Sequence, residues 1–184
     1  MCTSFPLVLP CIPTILCRFR MVYANNMKKG EICLDFNTTK IDTSFMKRRR
    51  EQLIKFERSV LRELSITLLK KSFQQYFGNM QTGVGMVFDQ AVEEGCYDIA
   101  SELYLLGSRY SRVGYYGEPF EEIKYRSQEE LNNFSTALYE FISFWGNIPT
   151  EAMESIKSAC GQFVDYWFSE GFHKGKMKYK MRFH

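Results

Sequence analysis

Apolar residues recur every three or four positions through most of this chain, and that spacing restricts its fold more than any other feature. The first such stripe consists of Leu53, Val60, Leu61, Leu64 and Leu68. Because an α-helix turns once in about 3.6 residues, these positions fall on one helix face. Period-two alternation, the mark of a half-buried strand, is nearly absent from the body of the chain. The sequence therefore predicts an all-α fold, a single compact bundle of about four to six helices.

Breaking and capping residues divide this body into helical segments. The first pattern runs for about thirty residues, longer than most helices, so it either breaks near Ser65 or is partly exposed to solvent. Residues 83–112 fit two helices separated at Gly95 or one continuous helix, and the sequence leaves both open. The spacing of Ser127 and Glu130 predicts a capping box at a further helix start. Pro149 opens a last helix, whose predicted inward residues are Met153, Ile156, Cys160, Phe163, Val164 and Trp167.

The first forty residues differ in composition from the rest. They hold three of the five prolines and four of the six cysteines, and such a run cannot form a good membrane-spanning helix. They also lack the basic start of a secretory signal. Composition favours over-extended translation, with true starts available at Met21, Met27 and Met46, or a poorly ordered leader at 1–40. We expect a helical domain at 41–172 and a basic tail at 173–184. An export signal and a membrane-touching segment stay open.

Cysteine usage after residue 41 points to a reducing compartment. Cys96 and Cys160 are the remaining cysteines, and neither belongs to a CxxC pair. This spacing argues against a disulfide framework and against a cysteine-based zinc site. We therefore expect a cytoplasmic protein with no transmembrane segment.

The formal net charge of +3 hides three unlike blocks. Residues 46–71 carry nine basic and three acidic side chains, whereas residues 72–172 carry five basic and fifteen acidic ones. Residues 173–184 carry five basic side chains and no acidic one. Two interpretations follow: the basic and acidic blocks meet within one fold, or an exposed basic surface binds a partner.

Catalytic signatures are sparse. The two histidines, His173 and His184, lie at the end of the chain, and no HExxH or Glu-x-x-His motif is present. This argues against zinc hydrolysis and against a Ser-His or Cys-His site. We expect no cofactor and favour a non-enzymatic role. A metal-assisted enzyme is the second alternative, since carboxylates four residues apart could hold a divalent ion: Asp89, Glu93, Glu94, Asp98 and Glu102. A solvated acidic helix face explains the same spacing.

Basic and aromatic residues supply a candidate binding surface. The run at 47–50 begins a helix, where positive charge opposes the helix dipole. Basic and apolar residues alternate strictly over 174–182, which predicts a short strand or an extended tail with one basic face. Aromatic residues between 104 and 125 could line a docking groove. The candidate surface comprises Arg48, Arg49, Arg50, Tyr115, Tyr116, Lys176, Lys178, Lys180 and Arg182.

Another protein is the partner that this composition favours, and we expect a protein-protein interaction or regulatory module. The alternative is nucleic-acid binding through basic residues in 47–62 and in the 174–182 tail. No helix-turn-helix, zinc-finger or RNP signature accompanies those residues. The sequence leaves the oligomeric state open.

Two stretches resemble an uncharacterised protein family of Bacillus and related spore-forming bacteria. The first is Lys55-Phe56-Glu57-Arg58 together with Leu61-Arg62-Glu63-Leu64-Ser65. The second combines Trp167, Gly171-Phe172 and Gly175 with the ending Lys180-Met181-Arg182-Phe183-His184. The resemblance covers roughly residues 41–184 and implies a small bacterial domain with no assigned activity, so it carries no catalytic residue to this chain.

Overall fold

The computed structural model describes residues 41–83, 90–145 and 150–182. They form helices α1 (Ile41–Leu61), α2 (Ile66–Gly83), α3 (Gln90–Tyr115), α4 (Phe120–Arg126), α5 (Gln128–Trp145) and α6 (Met153–Arg182), with a 3₁₀ turn at Thr150–Ala152. No strand occurs within these ranges. The all-α prediction is confirmed, and the helices found agree with the predicted number. The predicted leader at 1–40 lies outside the described residues.

Two compact units make up the chain, Met1–Met46 and Lys47–His184. In the first unit the described residues are the opening turns of α1, where Phe45 and Met46 are exposed. The second unit holds the rest of α1 and helices α2 to α6, and it alone is described below. Among the described helices, none is long and apolar enough to cross a membrane.

The predicted break near Ser65 is confirmed, and it separates α1 from α2. Tighter hydrogen bonds form after α1, where the Glu63 amide donates to the Val60 carbonyl at 3.0 Å. The Ser65 hydroxyl accepts a hydrogen bond from the Leu68 amide at 3.2 Å and so caps the start of α2. One sequence pattern therefore becomes two helices.

The two open interpretations of residues 83–112 give way to one continuous helix from residue 90. Gly95 lies inside α3 and does not end it. A Cβ at that position would overlap the Phe141 ring of α5, so glycine provides room for helix contact. The apolar stripe at residues 84–88 lies outside the described residues.

The predicted capping box at Ser127 is wrong. The Ser127 hydroxyl donates to the carbonyls of Ile123 at 3.0 Å and Lys124 at 3.1 Å, so it satisfies the end of α4 instead of the start of α5. In α6, Met153 is exposed, contrary to the prediction. The other predicted inward residues of α6 are buried: Ile156, Cys160, Phe163, Val164 and Trp167.

Helices α3 and α6 form the main packed pair and run in parallel. Tyr104 packs against Trp167 with ring centroids 6.2 Å apart, and Tyr115 lies 6.1 Å from Tyr179 further along both helices. Residue numbers therefore rise together across the interface. Burial of large apolar side chains such as Trp167 supplies most of the stabilisation, at about 1.5–3 kcal/mol each.

Small residues allow the α3 and α6 backbones to approach closely. A Cβ at Gly171 would overlap the carbonyl oxygen of Tyr104, and one at Gly175 would overlap the Ser111 hydroxyl. Ser108 and Ser111 are fully buried at this contact. Glycines and serines at three- and four-residue spacings therefore shape the interface, a pattern that apolar periodicity does not register.

The predicted strand or extended tail at 174–182 is wrong, because α6 continues to Arg182. Gly175 and Tyr179 pack against α3 and hold these turns in the helix. Residues two positions apart in sequence are rotated by about 200° from each other around a helix. The alternation therefore gives two lysine ridges instead of one basic face, with Lys174 and Lys178 on one and Lys176 and Lys180 on the other.

Candidate binding surface

A line of four aromatic rings joins α1, α6 and α3. Phe56 lies 4.7 Å from Tyr179, Tyr179 lies 6.1 Å from Tyr115, and Tyr115 lies 5.5 Å from Tyr116, measured between ring centroids. The line begins in the core, where Phe56 is buried, and ends in solvent, where Tyr116 is 71% exposed. The structure thus brings the predicted tyrosines to the last turns of α6.

Arginines at the end of α3 divide into one that is paired and one that is not. The Arg109 guanidinium Nε lies 2.6 Å from Glu57 Oε1 and ties α3 to α1. Arg112, nearly one turn later, is exposed and forms no ion pair with any described side chain. Tyr116 follows Arg112 by four residues. An exposed ring in the turn after α3 thus follows an exposed guanidinium in its last turn, and the sequence prediction had not included Arg112.

The predicted cations Arg48, Arg49 and Arg50 are exposed on α1. None of the three forms an ion pair within the part of the chain that the structure describes. The Phe56–Tyr179 contact anchors α1, and Arg49 precedes Phe56 by two turns, about 10 Å along the helix.

The predicted lysines of α6 have unequal surroundings. Lys178 Nζ lies 2.7 Å from Glu63 Oε1, so this cation is neutralised within the fold. Lys176 Nζ lies 5.9 Å from the centroid of the Phe172 ring. Lys180 is exposed, and the side chain of Arg182 lies outside the described residues. The lysines therefore do not act as one uniform basic surface.

Ion pairs bear on whether the basic and acidic blocks meet. Lys178 and Arg109 pair with Glu63 and Glu57, which both belong to the 46–71 block. In the acidic middle, Lys124 pairs with Asp165 at 2.9 Å, and Arg126 pairs with Glu118. In none of these four pairs does a cation of the basic blocks contact a carboxylate of residues 72–172. Among these four ion pairs of the described residues, contact between the 46–71 block and residues 72–172 is limited to Glu57 of the basic block and Arg109 of the acidic one.

Sequence reasoning missed two exposed methionines. Met177 and Met181 lie four residues apart on the outer face of α6 and are 48% and 65% exposed. Lys174 and Lys180 flank them on either side of the helix. We call these four residues the methionine stripe. Their spacing identifies a helix face, but the alternating pattern had predicted a strand at that position.

The aromatic residues predicted to line a docking groove are mostly used in packing. Tyr104 is buried, and burial raises the pKa of its hydroxyl to about 12. Tyr110 packs on Phe168 at 5.9 Å, and Phe120 packs on Phe172 at 4.9 Å. The exposed rings of the group are Tyr116, in the turn after α3, and Tyr125 on α4.

The sequence of this chain matches a family of proteins. The model of a protein family of unknown function, DUF2521, matches residues 39–184. The chain belongs to this family. It is 29% identical to the uncharacterized protein YbaK of Bacillus subtilis (strain 168) over 145 residues, which cover 76% of this chain and 95% of that protein. No solved structure matches the chain. The resemblance to an uncharacterised Bacillus family is thus confirmed.

In the part of the chain that the structure describes, the carboxylates of α3 do not form a metal site. No group of three Cys, His, Asp or Glu side chains there is arranged to hold an ion. Glu93 accepts a hydrogen bond from Tyr97, and Glu94 accepts one from Gln90 at 2.8 Å. Burial and the charge of Glu94 raise the pKa of the Asp98 carboxyl. Asp89 lies outside the described residues.

Proposed function

We propose that this chain is a protein-binding regulatory module whose interface is centred on Tyr116 and Arg112. The main observation in support is the exposed ring of Tyr116, which follows Arg112 by four residues, and the guanidinium of Arg112 has no ion-pair partner among the described residues. Tyrosine and arginine are the residues most enriched at the energetic centres of protein interfaces. Arg48, Arg49 and Arg50 supply further cations on α1, so we propose a partner with an acidic surface.

Preorganisation supports the proposal. The Tyr116 ring rests on Tyr115, which rests in turn on Tyr179 and the buried Phe56. A side chain already held in place loses less conformational entropy when a partner binds. An exposed ring on such a support therefore contributes more to affinity than the same ring on a loose loop.

We also propose that the module acts in the cytoplasm. Cys96 and Cys160 are free thiols buried in the helical unit. Their state is consistent with a reducing compartment.

The test is affinity capture from native lysate with cross-linking, read out by quantitative mass spectrometry on the full chain. Tyr116→Ser and the triple variant R48Q/R49Q/R50Q should each lower recovery of a specific protein by about tenfold or more. Tyr125→Ser is the matched control, since Tyr125 is 85% exposed on α4. Its recovery should equal that of the wild-type chain.

Two results would count against this function. Either no protein is enriched over background, or Tyr125→Ser reduces recovery as strongly as Tyr116→Ser. Nucleic acid is the alternative partner, because the unpaired arginines of α1 could contact phosphates. A salt-dependent mobility shift of duplex DNA or RNA, lost in R48Q/R49Q/R50Q and accompanied by no captured protein, would favour that alternative.

A further inference from the structure

The last turns of α6 are fixed on their inner side. Gly175 lies directly on Ser108 and Ser111 of α3, and Tyr179 packs between Phe56 and Tyr115. These contacts hold the helix through its final turns. The outer face is therefore presented in a fixed orientation.

That outer face combines two exposed methionines with an exposed lysine, Lys180, and a half-buried one, Lys174. Met177 and Met181 form its centre, with Lys174 and Lys180 on either side. No carboxylate occurs between residues 171 and 184. The nearest one on α6 is Glu170, one turn before Lys174, and Glu63 is paired with Lys178. The methionine stripe is thus a cationic surface with an apolar centre.

The lysines of the stripe suit a lipid surface better than a protein or a nucleic acid. Lysine is depleted at protein interfaces, whereas its long apolar stem lets the ammonium reach lipid phosphates while neighbouring apolar groups enter the bilayer. Sequence-tolerant nucleic-acid binding needs exposed rings on which bases stack. The nearby Tyr179 ring is instead packed against Phe56.

We propose that the methionine stripe docks this protein on the surface of anionic bilayers. Met177 and Met181 would enter the headgroup region, while Lys174 and Lys180 contact lipid phosphates. Lys176, which lies near Phe172 on the same ridge as Lys180, would add long-range attraction. The proposal concerns a helix face that lies on the membrane, and it involves residues other than Tyr116 and Arg112.

Vesicle flotation of the full chain tests the proposal, with phosphatidylcholine vesicles compared with vesicles that also contain phosphatidylglycerol. We expect the wild-type chain to float with the anionic vesicles and not with the neutral ones. K174Q/K180Q should weaken the anionic partition coefficient by about 20-fold. Met181→Ser should weaken it by about tenfold, because the apolar centre is lost.

Matched control variants distinguish binding through the methionine stripe from a general effect of net charge or of surface hydrophobicity. K70Q/K71Q removes two exposed lysines from α2, and Ile66→Ser removes an apolar side chain that is 65% exposed, the same as Met181. Both controls should bind anionic vesicles as the wild-type chain does. Circular dichroism should show unchanged helix content in all four variants.

Three outcomes would overturn the proposal. In the first, the wild-type chain fails to float with anionic vesicles. In the second, both stripe variants float as well as the wild type, which would place any membrane contact elsewhere in the chain. In the third, K70Q/K71Q weakens binding as much as K174Q/K180Q. A shift of duplex DNA lost in K174Q/K180Q, with no vesicle binding, would assign the lysines to nucleic acid instead.

Discussion

The inner face of α6 is closely packed against the rest of the fold, whereas its outer face is exposed and cationic. The inner face depends on shape: Trp167 is fully buried, and Gly171 lies against the backbone of Tyr104. The outer face depends on charge and exposure, with Met181 at its centre and Lys180 beside it. One helix therefore carries a face that specifies the fold and a face that the fold does not require.

This difference shows how to separate folding from binding in a protein without a known activity. Substitutions on the inner face should lower the free energy of unfolding, since interiors are close-packed and respond to single methyl groups. Substitutions at exposed positions usually change stability by less than about 0.5 kcal/mol. An outer-face variant that loses binding therefore reports on function directly.

Thiol reactivity should show the largest contrast between the faces. Cys160 lies on the inner face, where burial raises the pKa of its thiol to about 12. Little reactive thiolate therefore forms near pH 8. In the native state iodoacetamide should modify Cys160 more than about a thousandfold more slowly than a cysteine placed outside by Lys180→Cys, as measured by peptide mass spectrometry. Similar rates would show that the inner face is open.

Truncation of the buried tryptophan should have the largest effect on stability. Trp167→Ala removes a ring packed on Tyr104, Phe163 and Tyr166, and urea denaturation should show a loss of about 3–5 kcal/mol. Met181→Ala on the outer face is the control and should change stability by less than about 0.5 kcal/mol. An equal loss in both variants would erase the distinction between the faces.

Two glycines of the same helix should respond in opposite directions to alanine. Gly171→Ala places a methyl group on the Tyr104 carbonyl and should lower the free energy of unfolding by about 1–3 kcal/mol. At Gly161 the nearest atom is the Ser135 hydroxyl, 3.9 Å from the new methyl group. Gly161→Ala should therefore raise stability by up to about 1 kcal/mol through helix propensity. Stabilisation by both variants would contradict the close α3–α6 contact.

The ion pair at the border of the faces should have a small effect. Lys178→Gln breaks the contact with Glu63, and we expect a loss below about 1 kcal/mol that shrinks as salt is added. Lys180→Gln, which has no described ion-pair partner, should leave the urea midpoint unchanged. A large loss at Lys180 would mean that the outer face also specifies the fold.

Apolar periodicity was sufficient to predict the helical class, the break near Ser65 and most inward residues of α6. It failed where geometry depends on small residues, because Gly95, Gly171 and Gly175 act through the space that they leave. The alternation over 174–182 suggested a strand because local pattern ignores tertiary contacts. Packing of Gly175 and Tyr179 on α3 decides the helix instead.

The exposure of the candidate surface residues was predicted in part. The structure exposes four of the predicted residues: Arg48, Arg49, Arg50 and Tyr116. Lys178 instead forms an ion pair with Glu63. These two residues are more than one hundred positions apart, so no local sequence pattern indicates the pair. Arg112 was missed because the sequence does not distinguish it from Arg109, which forms an ion pair with Glu57. The methionine stripe becomes visible once the helix is known.

Stability and vesicle binding measured on one variant, M177S/M181S, test the central claim most directly. If the outer face serves binding and not folding, the free energy of unfolding from urea denaturation stays within about 0.5 kcal/mol of the wild-type value, while flotation with anionic vesicles falls to the level of neutral vesicles. If the unfolding free energy instead drops by several kcal/mol, or vesicle binding persists, the two faces do not have separate roles.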